Sequence, residues 1–257
     1  MSGLGSTWDV RFQAVTSTSS SAGGSVDAAL LGGHRGSCHF MSPHVRLPEA
    51  LRVERMRILN APAASGLFLI RDFLDPQQCA AARNEARAAA GHPAPVYIEG
   101  AEGHVHEDVR KTTSLEVLAA TAADVEQRLR ELCEQVGGHF GLSLSDCEPP
   151  QFLRYGEGDF FVRHQDGDTD QIEFDHLRVR KVSVVIFLNG GAPESSVETF
   201  SGGELLIYRS NAETGAGPLI FPIPGEPGLL VAFRSDTVHE VTPVTGGERF
   251  TVVSWFN

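Results

Sequence analysis

From Gln151 onward the chain reads as short strands and turns, the clearest of them with the two-residue period of a strand that buries one face. In the stretch Arg180–Asn189, Val182, Val184, Ile186 and Leu188 fall on a single face. Further strands are expected at Gly203–Tyr208, at LLVAF after the turn Gly225–Gly228, and at Arg249–Phe256. Many short strands joined by Gly/Pro turns, with no helix between them, point to a sandwich or jelly roll and away from a parallel sheet. The preceding third of the chain has a different texture. A short apolar strand, Gly66–Phe73, leads into a helix with Asp75 as N-cap, Pro76 at the first helical position and Gly91 as the stop. The polar stretch from His92 to Lys111 reads as a loop. A second helix is expected from about Ala122 to Val136, where Val125, Leu129, Leu132 and Val136 form one stripe and Gly137-Gly138 ends it.

Residues 1–48 carry no such periodicity and are rich in Ser, Gly and Thr, as a flexible or peripheral extension would be. Met41 and Met56 are alternative starts. The expected organisation is this extension followed by one domain over 49–257. Helical support would occupy about 66–145 and a jelly-roll core about 150–257. His34, His39 and His44 recur at a spacing that fits neither a helix face nor a strand face, so a solvated tail is preferred over a metal site.

Charge and cysteine usage narrow the function. The chain of 257 residues has a formal net charge of −12, which argues against a phosphate backbone as partner. No apolar run reaches the ~20 residues of a membrane helix, and the N-terminus lacks the basic start and apolar run of a secretion signal. Cys38, Cys79, Cys133 and Cys147 are scattered, without a CxxC pair, which suits a reducing cytoplasm. Oligomeric state is not legible.

The candidate chemistry lies in QFLRYGEGDFFVRHQD, residues 151–166. His164 and Asp166 sit two apart, hence on one face of an extended strand. His239, beyond the strand LLVAF, is either a third ligand or a surface histidine at a strand end. Two histidines and one carboxylate on one face of an octahedron leave three positions open, which suits non-haem Fe(II). Arg249 opens the last strand, shortly after a Gly-Gly turn. In an apolar strand its charge is costly without a partner, and its fork matches a carboxylate. Thr251, on the same face, adds a hydroxyl. A cosubstrate with a metal-chelating end and a distal carboxylate would satisfy both points. His104 and His106 share a strand-like face, but their Gly- and Glu-rich surroundings favour an exposed loop. Arg163, Arg178 and Arg180 are read as balancing an Asp-rich surface in preference to binding substrate.

The segments RYGEGDFFVRHQD, VSVVIFLN, SGGELLIY and HEVTPVTGGERFTVVSWF, spanning about Phe152 to Phe256, resemble the 2-oxoglutarate- and Fe(II)-dependent dioxygenases of the prolyl 4-hydroxylase-like branch. The resemblance implies an α+β, mainly β fold: a double-stranded β-helix with N-terminal supporting helices. It implies that His164, Asp166 and His239 bind iron and that Arg249 takes the distal carboxylate of 2-oxoglutarate. Tyr155 matches a tyrosine that lines the cosubstrate pocket, with a core aromatic as the alternative. The implied cofactors are Fe(II), 2-oxoglutarate and O2, with ascorbate as an accessory. The implied reaction hydroxylates an unactivated C–H bond, releasing succinate and CO2, on a prolyl residue of a protein or peptide or on a small molecule. Some relatives carry Lys in place of Arg249, or Tyr in place of Phe187. Asp166 argues against the related halogenases, which lack this carboxylate. Trp255 stands where the nucleic-acid demethylase branch has a second arginine. The segments Gly91–Leu115 and Asp166–His176 are the expected substrate lids. The rival readings are a non-catalytic jelly-roll binding module and a cupin-like dioxygenase that does not use 2-oxoglutarate.

Overall fold

A computed structural model describes residues 66–98, 101–167, 175–210 and 218–257. The extension 1–48, its histidines, Met41 and Met56, and most of the second expected lid lie outside the described residues. Twelve strands build the two main sheets: β1 (Leu67–Ile70), β2 (Gly91–Pro93), β3 (Arg110–Lys111), β4 (Thr113–Leu115), β5 (Gln151–Tyr155), β6 (Phe160–His164), β7 (Val182–Phe187), β8 (Leu205–Arg209), β9 (Leu219–Ile223), β10 (Leu230–Arg234), β11 (His239–Val241) and β12 (Arg249–Phe256). The larger sheet runs β1-β10-β7-β12-β5-β4-β2 and the smaller β9-β8-β11-β6-β3. All their pairings are antiparallel, and the two sheets face each other as a jelly roll. Short strands at 190–191, 199–202 and 244–246 form a ribbon at the rim.

Strand alternation decides which core each residue enters. On β7 and β12, Val182, Val184, Ile186, Phe250, Val252 and Phe256 face a helical layer. Val185 and Phe187 turn the other way, into the space between the sheets. The helices are α1 (Pro76–Ala88), α2 (Ala119–Glu131), α3 (Cys133–Phe140) and a single turn α4 (Asp175–Arg178). Cys79, Ala82 and Ala86 of α1, Val125 and Leu129 of α2 and Val136 of α3 pack against the larger sheet. The whole arrangement is mainly β with supporting helices, as the sequence led us to expect. No helix among the described residues is long and apolar enough to cross a membrane.

Four local expectations need correcting. Asp75 does cap α1, accepting from the Gln77 and Gln78 amides at 2.8 Å while the Gln78 side chain caps in return. The helix nevertheless ends at Ala88, where Ala89 turns extended, and Gly91 instead opens β2. The second helix is two, broken between Glu131 and Cys133, and it runs through Gly137-Gly138 to Phe140. Gly137 serves close packing, since a Cβ there would stand 2.7 Å from the Leu142 carbonyl, and Gly141, at φ +66°, makes the stop. The expected loop His92–Lys111 contains short strands, including an antiparallel pair at 96–98 and 101–104. Finally, α4 interrupts the strands after Gln151, where no helix was expected. Of the histidine pair in that former loop, His106 is exposed, and the His104 side chain lies outside what is described.

Candidate metal centre

The smaller sheet brings two histidines together. His164 at the end of β6 pairs directly across from His239 at the start of β11. The ladder then slips by one: Val241 pairs with Phe161, so Val162 and Arg163 together oppose Glu240. This bulge places Phe161 and His164, three apart, on the same inner face, where a regular strand would point them apart. The Phe161 ring stacks on the His164 imidazole at 3.6 Å between centroids. The two imidazoles lie 4.1 Å apart, and Phe233 stands edge-on to His239 at 4.7 Å.

Asp166 lies two residues beyond β6. Its amide donates to the Ser235 carbonyl at 2.9 Å, and the Gly167 amide to the same carbonyl at 3.1 Å. The carboxylate thus reaches both imidazoles: Oδ1 is 3.5 Å from His164 Nε2, and Oδ2 is 3.6 Å from His239 Nε2. One potential ligand atom from each of the three buried residues falls within 4.8 Å of the others. Each histidine has its Nδ1 against the carbonyl two residues back, Val162 at 2.8 Å and Thr237 at 2.9 Å. A carbonyl only accepts, so Nδ1 carries a proton, and Nε2 is the ring atom turned toward Asp166. These carbonyls are the orienting partners that sequence could not name.

Burial, aided by the neighbouring His164, pushes the His239 imidazole down to about 4. Burial alone would raise the Asp166 carboxyl, but the two imidazoles and the Arg180 guanidinium outweigh it and hold it well below the usual carboxylate range. Two imidazoles and one carboxylate, with Nε2, Nε2 and the carboxylate oxygens converging, form a donor set able to hold a divalent transition metal.

The larger sheet supplies the opposite wall. Arg249 pairs across from Tyr155, and Thr251 across from Leu153 on one side and Phe187 on the other. Arg249 is 1% exposed, with its guanidinium carbon 5.0 Å from the Tyr155 ring centre and 5.1 Å from that of Phe187. Its Nη1 donates to Thr251 Oγ1 at 3.3 Å, and its Nε has no partner among the described residues. Burial pushes the guanidinium down to about 10. A buried fork with an unused donor, lining the same cavity as the histidines, fits a carboxylate ligand.

Two features escaped the sequence reading. Arg110 of β3 is also buried and lines this cavity, its guanidinium 4.7 Å over Phe161. It was passed over because a polar stretch looks solvated. Arg180 is no surface charge: it is fully buried, with Nε and Nη2 each donating to Glu148 at 2.7 Å, and it stacks 3.7 Å from the Trp255 ring. Arg163 does lie at the surface, over Tyr208 and paired with Glu240, and Arg178 is exposed.

Residues 150–257 match the model of the family described as the 2OG-Fe(II) oxygenase superfamily. Among curated proteins, the chain is 30% identical to a PKHD-type hydroxylase of Janthinobacterium sp. (strain Marseille), over 61% of this chain and 63% of that one. It is 33% identical to a PKHD-type hydroxylase of Shewanella oneidensis, over 42% of each. The chain thus spans less than two thirds of the length of these relatives. In fold it resembles a prolyl-4-hydroxylase of Pseudomonas putida, with TM-score 0.57 and 24% identity over 75% of this chain and 92% of that one. It also resembles a Trichoplax adhaerens prolyl hydroxylase solved with a hypoxia inducible factor peptide fragment, with TM-score 0.56 and 15% identity over 82% and 94%.

Proposed function

We propose that the protein is an Fe(II)- and 2-oxoglutarate-dependent dioxygenase that hydroxylates an unactivated C–H bond. One observation carries the reading: two buried imidazoles and a buried carboxylate converge opposite a buried arginine with an unused donor. In this reading His164, Asp166 and His239 hold the iron, which supplies O2 activation coupled to oxidative decarboxylation of 2-oxoglutarate to succinate and CO2. The protein's own part is positioning. The Val162 and Thr237 carbonyls orient the imidazoles with Nε2 toward Asp166. Asp166 contributes the anionic ligand. Arg249 and Thr251 orient the distal carboxylate, walled by Tyr155 and Phe187. The two sheets keep water from the reacting C–H bond.

The hydroxylated group, in this proposal, is a prolyl residue of a protein or peptide, or a small molecule. The peptide seen with the Trichoplax enzyme and the names of the PKHD-type relatives support that choice. Ascorbate enters only through the family resemblance. A reducing cytoplasm fits the free thiols of Cys79, Cys133 and Cys147. The net charge of −12 favours partners other than nucleic acid.

The test is spectroscopic. Fe(II) and then 2-oxoglutarate are added to anaerobic protein, with Asp166→Ala and His164→Ala as controls. A visible charge-transfer band is expected, lost in both variants. Bound iron without the band would favour a 2-oxoglutarate-independent, cupin-like dioxygenase. No iron binding at all would favour a non-catalytic binding module.

A further inference from the structure

We propose that Arg110 is the receptor for a carboxylate on the organic substrate. The inference rests on the oxygenase reading above and goes on to name the substrate class: a molecule or peptide group with an anion close to the C–H bond that reacts.

The argument begins with the fate of buried arginines. Among the described residues four are buried: Arg83, Arg110, Arg180 and Arg249. Arg83 has Glu198, and Arg180 has Glu148. Arg110 and Arg249 have no carboxylate hydrogen-bonded to them among the described residues, and these two line the metal cavity. An unpaired guanidinium in an apolar interior is costly, so its retention calls for an anion arriving from outside. Arg249 is accounted for by the distal carboxylate of the cosubstrate. Arg110 is left over.

Its position suits a substrate. Arg110 pairs across from Phe161, the ring that stacks on His164, so its side chain lies on the metal side of β6. It is 4% exposed. Nη1 donates to the Pro95 carbonyl at 3.2 Å, which anchors one arm of the fork, while Nε has no partner. Tyr155 and Asp166 lie near enough to ease the burden of its burial.

Charge bookkeeping gives the sign and size of the missing group. Imidazoles that ligate a metal must be neutral, so with a divalent metal bound, two guanidiniums and one carboxylate would leave the cavity with three positive charges. A 2-oxoglutarate dianion removes two. The one that remains matches a monoanionic substrate group.

The test uses the full chain, anaerobically loaded with Fe(II) and 2-oxoglutarate in a sodium chloride background. Acetate is the probe, and acetamide its uncharged counterpart. Acetate should saturably shift the visible band and raise the thermal midpoint, while acetamide does neither. Arg110→Met should weaken acetate binding about tenfold or more and leave 2-oxoglutarate affinity unchanged. Arg110→Lys, which keeps the charge but not the fork, should fall between. Should the Met variant fail to fold by circular dichroism, the Lys variant carries the comparison. Equal effects of acetate and acetamide, or acetate binding indifferent to both variants, would overturn the proposal. So would a loss of 2-oxoglutarate affinity as large as that in Arg249→Ala, because Arg110 would then serve the cosubstrate. If no band forms in the wild type, the 2-oxoglutarate-dependent reading fails on its own. Acetate binding is then read from the thermal midpoint alone, with the same variants deciding.

Discussion

Glu148→Gln tests whether the site rests on the buried pair beneath it. Glu148 and Arg180 meet through two hydrogen bonds of 2.7 Å, with Arg180 fully buried against Trp255. Glu148 is itself fixed to β12: its amide donates to the Trp255 carbonyl at 2.8 Å, and the Ser254 hydroxyl donates to its carbonyl at 2.6 Å. Removing one partner of a buried pair costs about 3–5 kcal/mol, chiefly because the other charge is stranded. Glutamine is isosteric and keeps one neutral acceptor, so the expected loss is about 2–4 kcal/mol. Against a typical stability of about 5–15 kcal/mol the variant still folds. Its thermal midpoint should drop by about 5–15 °C, at about 2–4 °C per kcal/mol for a chain of this size. Urea unfolding of metal-free protein at pH 7 is the assay, with the slope against denaturant unchanged. Replacing both partners, Glu148→Leu with Arg180→Met, should recover much of the loss. A single-variant loss under about 1 kcal/mol would refute the reasoning, since desolvation of Arg180 would then owe little to Glu148.

Two further outcomes follow from the same geometry. Arg249→Ala should weaken 2-oxoglutarate by about 2–3 kcal/mol, roughly 30- to 150-fold, read by titrating the visible band. Metal affinity should not change, and an unaltered cosubstrate affinity would argue against the assignment. Gly167→Ala should cost about 1–3 kcal/mol and loosen metal binding. Its Cβ would stand 2.5 Å from the Leu177 carbonyl and 2.6 Å from Arg180 Cβ, pushing the turn that holds Asp166. Calorimetric metal titration checks this, and wild-type affinity with wild-type stability would contradict it.

What the sequence displayed was whatever follows a local period. The alternation of Phe250, Val252 and Phe256 against Arg249 and Thr251 defined β12 and both of its faces, because a strand's side chains alternate whatever lies beside it. The two-residue step from His164 to Asp166 was legible for the same reason. Burial by distant partners was not. Arg110 sits in a polar stretch and is enclosed only because β3 pairs with β6, about fifty residues on. Glu148 meets Arg180 across 32 residues, so Arg180 looked like an ordinary solvated charge. The helix break near Leu132 falls inside an unbroken apolar stripe, and nothing in the stripe's spacing records it.

The bulge in β6 has a consequence for how this protein can change. With two residues opposite Glu240, β6 behaves like a reading frame: its length carries information along with its identities. Straightening the ladder at its present length, by substitution alone, would put Phe161 and His164 on opposite faces and turn His164 toward solvent. It would also disturb the Val162 carbonyl that holds the imidazole. Drift toward a tidier sheet is therefore closed to this strand for as long as the chemistry is under selection.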